Sequence, residues 1–188
     1  LNFASADQVT FDGFPIRSLS LNMRANWNLI SGLTENTQMI DTGNILLPGS
    51  LYGYDGFYFE ADYLEPGNGY WVAASANGTI ELDEGGGSVL LFNRPRQDKA
   101  ITDLTSRLIF LSGDREMTEL VVGEELLGEY DPLQLQFPPV PPQGSFDVRF
   151  EGDRWITDKE HAVVHLQHNA QPMQMKVAGQ VSVEVLMR

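Results

Sequence analysis

The fold is decided by residues 64–74, which read LEPGNGYWVAA. Pro66 suits the second position of a tight turn, and Gly67 supplies the positive φ that the third position requires. The following residues, Tyr70–Ala74, are rich in aromatic and β-branched side chains, which is typical of a β-strand. This stretch therefore predicts a turn that leads directly into a strand.

The same pattern of short apolar runs and turn residues continues in both directions. The chain has 188 residues with 18 Gly and 10 Pro, and breaks at roughly 8–12-residue spacing favour many short strands. The sequence predicts an all-β fold of two mainly antiparallel β lobes, sandwich or barrel-like, with little helix. Further strands are predicted over Ser18–Met23, Trp27–Ser31, Gly56–Ala61, Thr79–Leu82, Ser88–Phe92, Arg107–Leu111, Glu116–Val122, Phe146–Phe150, Ala162–Gln167, Met173–Val177 and Val181–Met187.

Two segments also fit a helical pattern. Glu35–Asp41 is predicted as one short helical turn. Glu116–Leu127 has apolar residues at a helical spacing, but Gly123 disfavours a helix there by about 1 kcal/mol relative to Ala. A strand followed by a loop is the preferred prediction for this second segment.

A polar, proline-broken stretch over residues 93–99 predicts a boundary between two lobes. An aromatic-rich N-terminal β lobe would span residues 1–92, and a C-terminal β-sandwich-like lobe would span residues 93–188.

Residues 137–142, FPPVPP, cannot form a central strand because proline lacks an amide donor. We expect a stiff, extended crossover packed on its own lobe; the alternative is a docking segment for an aromatic-lined groove.

Composition excludes several functional classes. The chain has 26 acidic and 12 basic residues and a formal net charge of -14, which argues against nucleic acid or anionic lipid as a partner. It has no cysteine, which excludes disulfides, thiolate metal sites and a cysteine nucleophile. No run approaches the ~18 apolar residues of a membrane helix, so membrane insertion is not expected.

Four motifs occur in a recognisable order: WNLIS at residues 27–31, LYGYDG at 51–56, LEPGNGYWV at 64–72, and FPPVPPQGSFDVRF at 137–150. This series resembles a region of large secreted, type IX secretion-associated surface proteins of bacteria of the Bacteroidetes–Chlorobi and related lineages. The resemblance covers roughly residues 19–82 and 105–150. It implies a secreted or cell-surface location and a non-catalytic accessory or surface-display module of a larger protein.

In the proteins that the motifs resemble, a C-terminal sorting domain commonly follows. None is visible after Arg188, so the resemblance implies that it was removed or lies outside this sequence. The chain begins with Leu1 rather than Met and shows no basic-then-apolar leader. We therefore expect a mature product or a fragment of a longer chain.

Catalytic and metal motifs are not evident. The three histidines, His161, His165 and His168, lie on or beside the predicted strand Ala162–Gln167. In an extended strand His161 and His165 would lie about 13 Å apart at ~3.3 Å per residue. Only a helix, the less favoured alternative, would bring all three onto one face, so no metal site is predicted. Acidic residues are scattered in turns, which leaves calcium possible but predicts no catalytic acid pair. A nucleophile elbow, a phosphate loop and a dinucleotide fingerprint are missing, so no enzyme and no organic cofactor are expected.

Aromatic residues between positions 52 and 71 are the strongest indication of a binding surface. They could stack on sugar rings as a carbohydrate-binding module, with polysaccharide or neighbouring domains of the same chain as partners; the alternative is that they form the core of the first lobe. A further alternative is a self-associating subunit of a surface fibre or layer, built by pairing edge strands. The candidate ligand-binding residues are Tyr52, Tyr54, Asp55, Tyr58, Tyr70 and Trp71.

Overall fold

The computed structural model describes residues 13–85, 106–123, 130–159, 161–167 and 172–179. Within these ranges every regular element is a β-strand apart from one 3₁₀ helix, which confirms the all-β prediction. No helix in this described part is long and apolar enough to cross a membrane. The predicted lobe boundary at residues 93–99, the strands predicted over Ser88–Phe92 and Val181–Met187, and His168 all lie outside the described residues.

The N-terminal part, residues 13–85, contains two antiparallel sheets with strand orders β1-β7-β3 and β2-β6-β4-β5. Apolar side chains from both sheets meet in one buried cluster, here called the first core, which includes Met23, Tyr70, Val72, Ile80 and Leu82. Its strands are β1 (Ser18–Met23), β2 (Asn26–Ser31), β3 (Gln38–Ile40), β4 (Tyr52–Tyr54), β5 (Tyr58–Glu60), β6 (Gly69–Ala74) and β7 (Gly78–Asp83).

The turn that opens residues 64–74 is formed as predicted. Asn68 N–H donates to the carbonyl of Glu65 at 3.4 Å, and Gly67 has a φ of 76°. A positive φ at the third turn position is the conformation that favours glycine. Strand β6 follows this turn directly and lies inside its sheet, where it pairs with β2 on one side and β4 on the other.

The helical turn predicted over Glu35–Asp41 is wrong. Thr37 instead exchanges backbone hydrogen bonds with Leu64, at 2.9 and 3.0 Å, and β3 pairs antiparallel with β7. Met39 is thereby buried in the first core. Because β3 is only three residues long, its pairing and burial decide its conformation more than local propensity does.

The C-terminal part, residues 106–179, contains a four-stranded sheet in the order β11-β9-β8-β13 and a β10-β12 pair. All pairings are antiparallel except β11 with β9, which is parallel. The predicted turn between β8 and β9 is formed, with Ser112 paired to Arg115. The elements are β8 (Ser106–Ser112), β9 (Arg115–Val122), the 3₁₀ helix (Pro132–Leu135), β10 (Asp147–Phe150), β11 (Ile156–Thr157), β12 (Val164–Gln167) and β13 (Met173–Ala178).

A second buried cluster, the second core, lies mostly within this C-terminal part. Trp155 is at its centre, fully buried, and its indole N–H donates to the carbonyl of Gln134 at 2.8 Å. One member, Tyr52, comes from the N-terminal part. The other members are Leu108, Phe110, Leu120, Val121, Leu135, Phe137, Phe146, Val148, Phe150 and Ile156.

Candidate functional site

Two of the resemblance motifs, LYGYDG and FPPVPPQGSFDVRF, meet where the N-terminal and C-terminal parts touch. We call this contact the seam and define it by Tyr52, Phe57, Tyr58, Phe137 and Pro139. The ring of Tyr52 packs edge-on against Tyr58 and Phe137, with centroids 6.4 and 6.3 Å apart. Only 3% of Tyr52 is exposed, so its ring joins the two parts and offers no face to a solute.

Hydrogen bonds cross the same contact. The Tyr58 hydroxyl donates to the carbonyl of Pro139 at 2.7 Å, and the Gln134 side-chain amide donates to the carbonyl of Pro48 at 2.9 Å. Burial raises the pKa of Tyr58 to about 12, an effect that the nearby Arg149 charge opposes. Tyr58 is therefore a neutral donor at physiological pH.

Arg149 fixes the proline-rich crossover that carries Phe137 and Pro139. Its Nε and Nη2 atoms each donate to a carboxylate oxygen of Asp147 at 2.6 Å, and Nη1 donates to the carbonyl of Pro138 at 2.8 Å. Burial acts to lower the pKa of Arg149, but the hydrogen bonds and charges of Asp147 and Asp153 together outweigh burial and raise the pKa above its ordinary value. The crossover is thus bonded to β10 of the C-terminal part, and it also contacts Tyr52 and Tyr58 of the N-terminal part.

The seam is densely packed. A void of about 10 Å³ lies between Phe57, Tyr58, Phe137 and the first two residues of β10. That volume is roughly the minimum that one water molecule needs. This void is too small for a substrate.

A second feature, an open groove, lies beside the β4–β5 hairpin. We call it the hairpin groove; it has a volume of about 500 Å³. Exposed aromatic rings and charged side chains line it together. Its principal lining residues are Tyr54, Asp55, Phe59, Glu65, Asn68 and Arg115.

The aromatic surface of the hairpin groove depends on a glycine. Gly53 pairs directly with Phe59 across the two strands, and a Cβ on Gly53 would lie 2.4–2.9 Å from three atoms at the far edge of the Phe59 ring. The edge of the Phe59 ring therefore lies over Gly53, in the space that the side chain of any larger residue at this position would occupy. Phe59 and Tyr54 each remain 38% exposed, so both rings present surface to solvent.

Charged groups at the hairpin groove come from both parts of the chain. Arg115, at the start of β9, lies 3.8 Å from the Asp55 carboxylate and stacks 4.5 Å from the centroid of the Phe57 ring. The Asn68 amide donates to the Glu65 carboxylate at 3.0 Å. The groove thus presents both hydrogen-bond donors and acceptors beside its aromatic rings.

The structure separates the six candidate ligand-binding residues. Tyr54 and Asp55 lie at the hairpin groove, whereas Tyr58 and Trp71 are partly buried and Tyr52 is buried in the second core. Tyr70 lines the groove only as its floor, since it belongs to the first core and its hydroxyl accepts from Glu65 N–H at 3.1 Å.

Sequence reasoning missed four of the principal groove residues, Phe59, Glu65, Asn68 and Arg115. Phe59 could have been found from its place opposite a glycine in a hairpin, because aromatic rings often cover such glycines. Arg115 gives no comparable signal, since it is 60 residues distant from Asp55 in the chain and reaches the groove only through the tertiary fold.

Metal-binding geometry is not found within the described ranges, where no three histidine or carboxylate residues converge. His161 and His165 are exposed.

Comparison of the chain with protein-family models, curated proteins and solved structures finds no match.

Proposed function

We propose that this chain is a non-catalytic accessory or surface-display module of a larger extracellular bacterial protein. The observation that carries the proposal is that residues of its most distinctive motifs make structural contacts. Tyr52 of LYGYDG packs against Phe137 of FPPVPP at the seam, and Tyr58, two residues after the first motif, donates a hydrogen bond to Pro139 of the second. Side chains engaged in this way support an architectural role for the motifs.

The surrounding chemistry supports an extracellular setting for such a module. The net charge of -14 favours solubility without attraction to nucleic acid or anionic lipid. The resemblance of the ordered motifs to those of type IX secretion-associated surface proteins supports a cell-surface location for the proposed module.

Protease accessibility on intact cells tests this proposal. In the bacterium that encodes the chain, an antiserum against residues 13–85 should detect its loss when protease is added to intact cells. A cytoplasmic protein followed in the same cells should survive, which controls for lysis. Protection of the chain until the cells are broken would contradict the surface location.

A second candidate, a subunit of a surface fibre, is favoured by a different observation. Strands β1 and β2 each lie at one edge of an N-terminal sheet, within the residues described. Between them lies an apolar groove of about 530 Å³, here called the edge groove, lined by Leu19, Leu21, Leu29 and Leu33 among others. Leu29 is 64% exposed, so a strand from a second copy could pair there.

Sedimentation equilibrium separates the two candidates. A fibre subunit should associate at high protein concentration, and Leu29→Glu should return it to a monomer because a charge in the edge groove would oppose burial. Val140→Glu, which changes an exposed apolar residue elsewhere, is the matched control. A monomer at every concentration would contradict the fibre candidate and leave the accessory module unaffected.

A further inference from the structure

The hairpin groove has the size and lining of a ligand site. Its volume of about 500 Å³ lies within the range of roughly 300–1,000 Å³ typical of small-molecule sites. Such sites combine aromatic surface with a few polar groups that fix orientation. Here Phe59 and Tyr54 supply the aromatic surface, and Asp55, Glu65, Asn68 and Arg115 supply the polar groups.

The aromatic surface is held in place before any ligand arrives. The far edge of the Phe59 ring covers Gly53, and Tyr54 packs edge-on against Tyr58 with centroids 5.3 Å apart. The face of an aromatic ring is electron-rich and attracts weakly positive C–H groups. One side of a pyranose ring presents such C–H groups, so a sugar suits this surface.

The polar groups match hydroxyls better than a single ionic ligand. A hydroxyl both donates and accepts, and the groove offers acceptors in Asp55 and Glu65 with donors in Arg115 and Asn68. The Asp55 and Arg115 side chains are 80% and 61% exposed, so a ligand can reach them. Their 3.8 Å ion pair already neutralises the one guanidinium in this set.

Charge decides which class of sugar fits. The lining residues of the groove include two carboxylates against that one guanidinium, and the whole chain carries a net charge of -14. A uronic-acid or sulfated polysaccharide would meet repulsion from both sources. A neutral polysaccharide would not.

We propose that the hairpin groove binds a neutral polysaccharide, with one sugar ring stacked on Phe59 and its hydroxyls bonded by Asp55, Glu65, Asn68 and Arg115. This inference rests on the proposed function, because an extracellular module is the kind of protein that meets such a polymer. The sequence predicted Tyr52 and Tyr70 as ligand-binding residues, but their rings are buried. The proposed stacking surface is instead the exposed ring of Phe59.

Affinity electrophoresis of the full chain tests the proposal. The probes are soluble mixed-linkage β-glucan, xylan and galactomannan as neutral polymers, with alginate as an anionic one. The chain should be retarded in at least one neutral gel and should migrate freely in alginate. Phe59→Leu keeps an apolar side chain but removes the ring face, and it should weaken binding by about tenfold or more.

Two further variants make the result specific. Arg115→Met removes a donor without touching Phe59 and should also reduce retardation. Tyr63→Ala removes a similarly exposed aromatic residue that does not line the groove, and it should bind like the unaltered chain.

Three results would overturn the proposal: no retardation in any neutral gel, equal retardation of the Phe59→Leu variant, or retardation confined to alginate. None of them would affect the proposed function, whose test is protease accessibility on intact cells. If the chain is found at the cell surface but is not retarded in any neutral gel, the proposal of polysaccharide binding is contradicted and the proposed accessory function stands.

Discussion

Arg149 carries its charge at a position where only 2% of the residue is exposed. It is held there by two hydrogen bonds to Asp147, one to the Pro138 carbonyl and one to Asp153. Alternation along β10 predicts that Asp147 and Arg149 share a face opposite the phenylalanines. It does not predict that this face is also buried, because the crossover that covers it precedes the strand by several residues.

Removal of the guanidinium should strongly destabilise the protein. Arg149→Met would leave the Asp147 carboxylate buried without its partner, at a cost of about 3–5 kcal/mol in the free energy of unfolding. Urea denaturation measures this cost. Adding Asp147→Leu to that variant should recover much of the loss, because replacing both charges removes the unpaired one; a double variant no more stable than the single one would contradict the explanation.

Tyr58 makes stability depend on pH in the alkaline range. Its pKa is raised by burial from 10.0 to about 12, so the unfolded chain releases this proton at a lower pH than the folded chain. The stabilisation is fully present below pH 10 and is lost as pH rises toward 12. Denaturation midpoints across this range should therefore fall.

Tyr58→Phe is the control for that titration. It should lose about 0.5–1.5 kcal/mol at neutral pH, because the hydrogen bond to Pro139 is missing, and its stability should fall less steeply between pH 10 and pH 12. An equal alkaline decline in both proteins would assign the titration to other groups.

At the scale of elements, the longer strands, of six or more residues, were the predictable ones. β1 is confirmed at its predicted bounds, Ser18–Met23, and β6, β8 and β9 are confirmed within one residue at each end. The strand predicted over Gly56–Ala61 is shorter, since β5 covers only Tyr58–Glu60. The three-residue β4 was not predicted, because a strand that short has no periodicity to read.

The β4–β5 hairpin yields a prediction about its glycine. Gly53→Ala places a Cβ against the edge of the Phe59 ring, and relief requires the ring to swing outward. Because Phe59 is partly exposed, we expect a cost of about 1 kcal/mol, at the low end for overpacking.

A double-mutant cycle isolates that contact. In a Phe59→Ala background, Gly53→Ala meets no ring, so its cost should largely disappear and the two substitutions should be coupled. Thermal unfolding of the four proteins measures this coupling. Strictly additive effects would mean that Gly53 is required for another reason.

At the scale of the whole molecule, sequence reasoning could not locate the seam. The Tyr58 hydroxyl and the Pro139 carbonyl are separated by 81 positions in the chain, and neither residue type specifies the other. The sequence left open whether the aromatic residues between 52 and 71 are core or surface. The structure divides them: Tyr52 and Tyr70 are core, while Tyr54 is exposed at the hairpin groove.

Motif residues join the N-terminal and C-terminal parts into one unit, and differential scanning calorimetry tests this most directly. We predict a single transition with equal calorimetric and van't Hoff enthalpies. Tyr52→Ala should lower the midpoint of that whole transition, with a loss of about 3–5 kcal/mol for a buried aromatic residue. Two resolved transitions, with Tyr52→Ala shifting only one of them, would contradict the account.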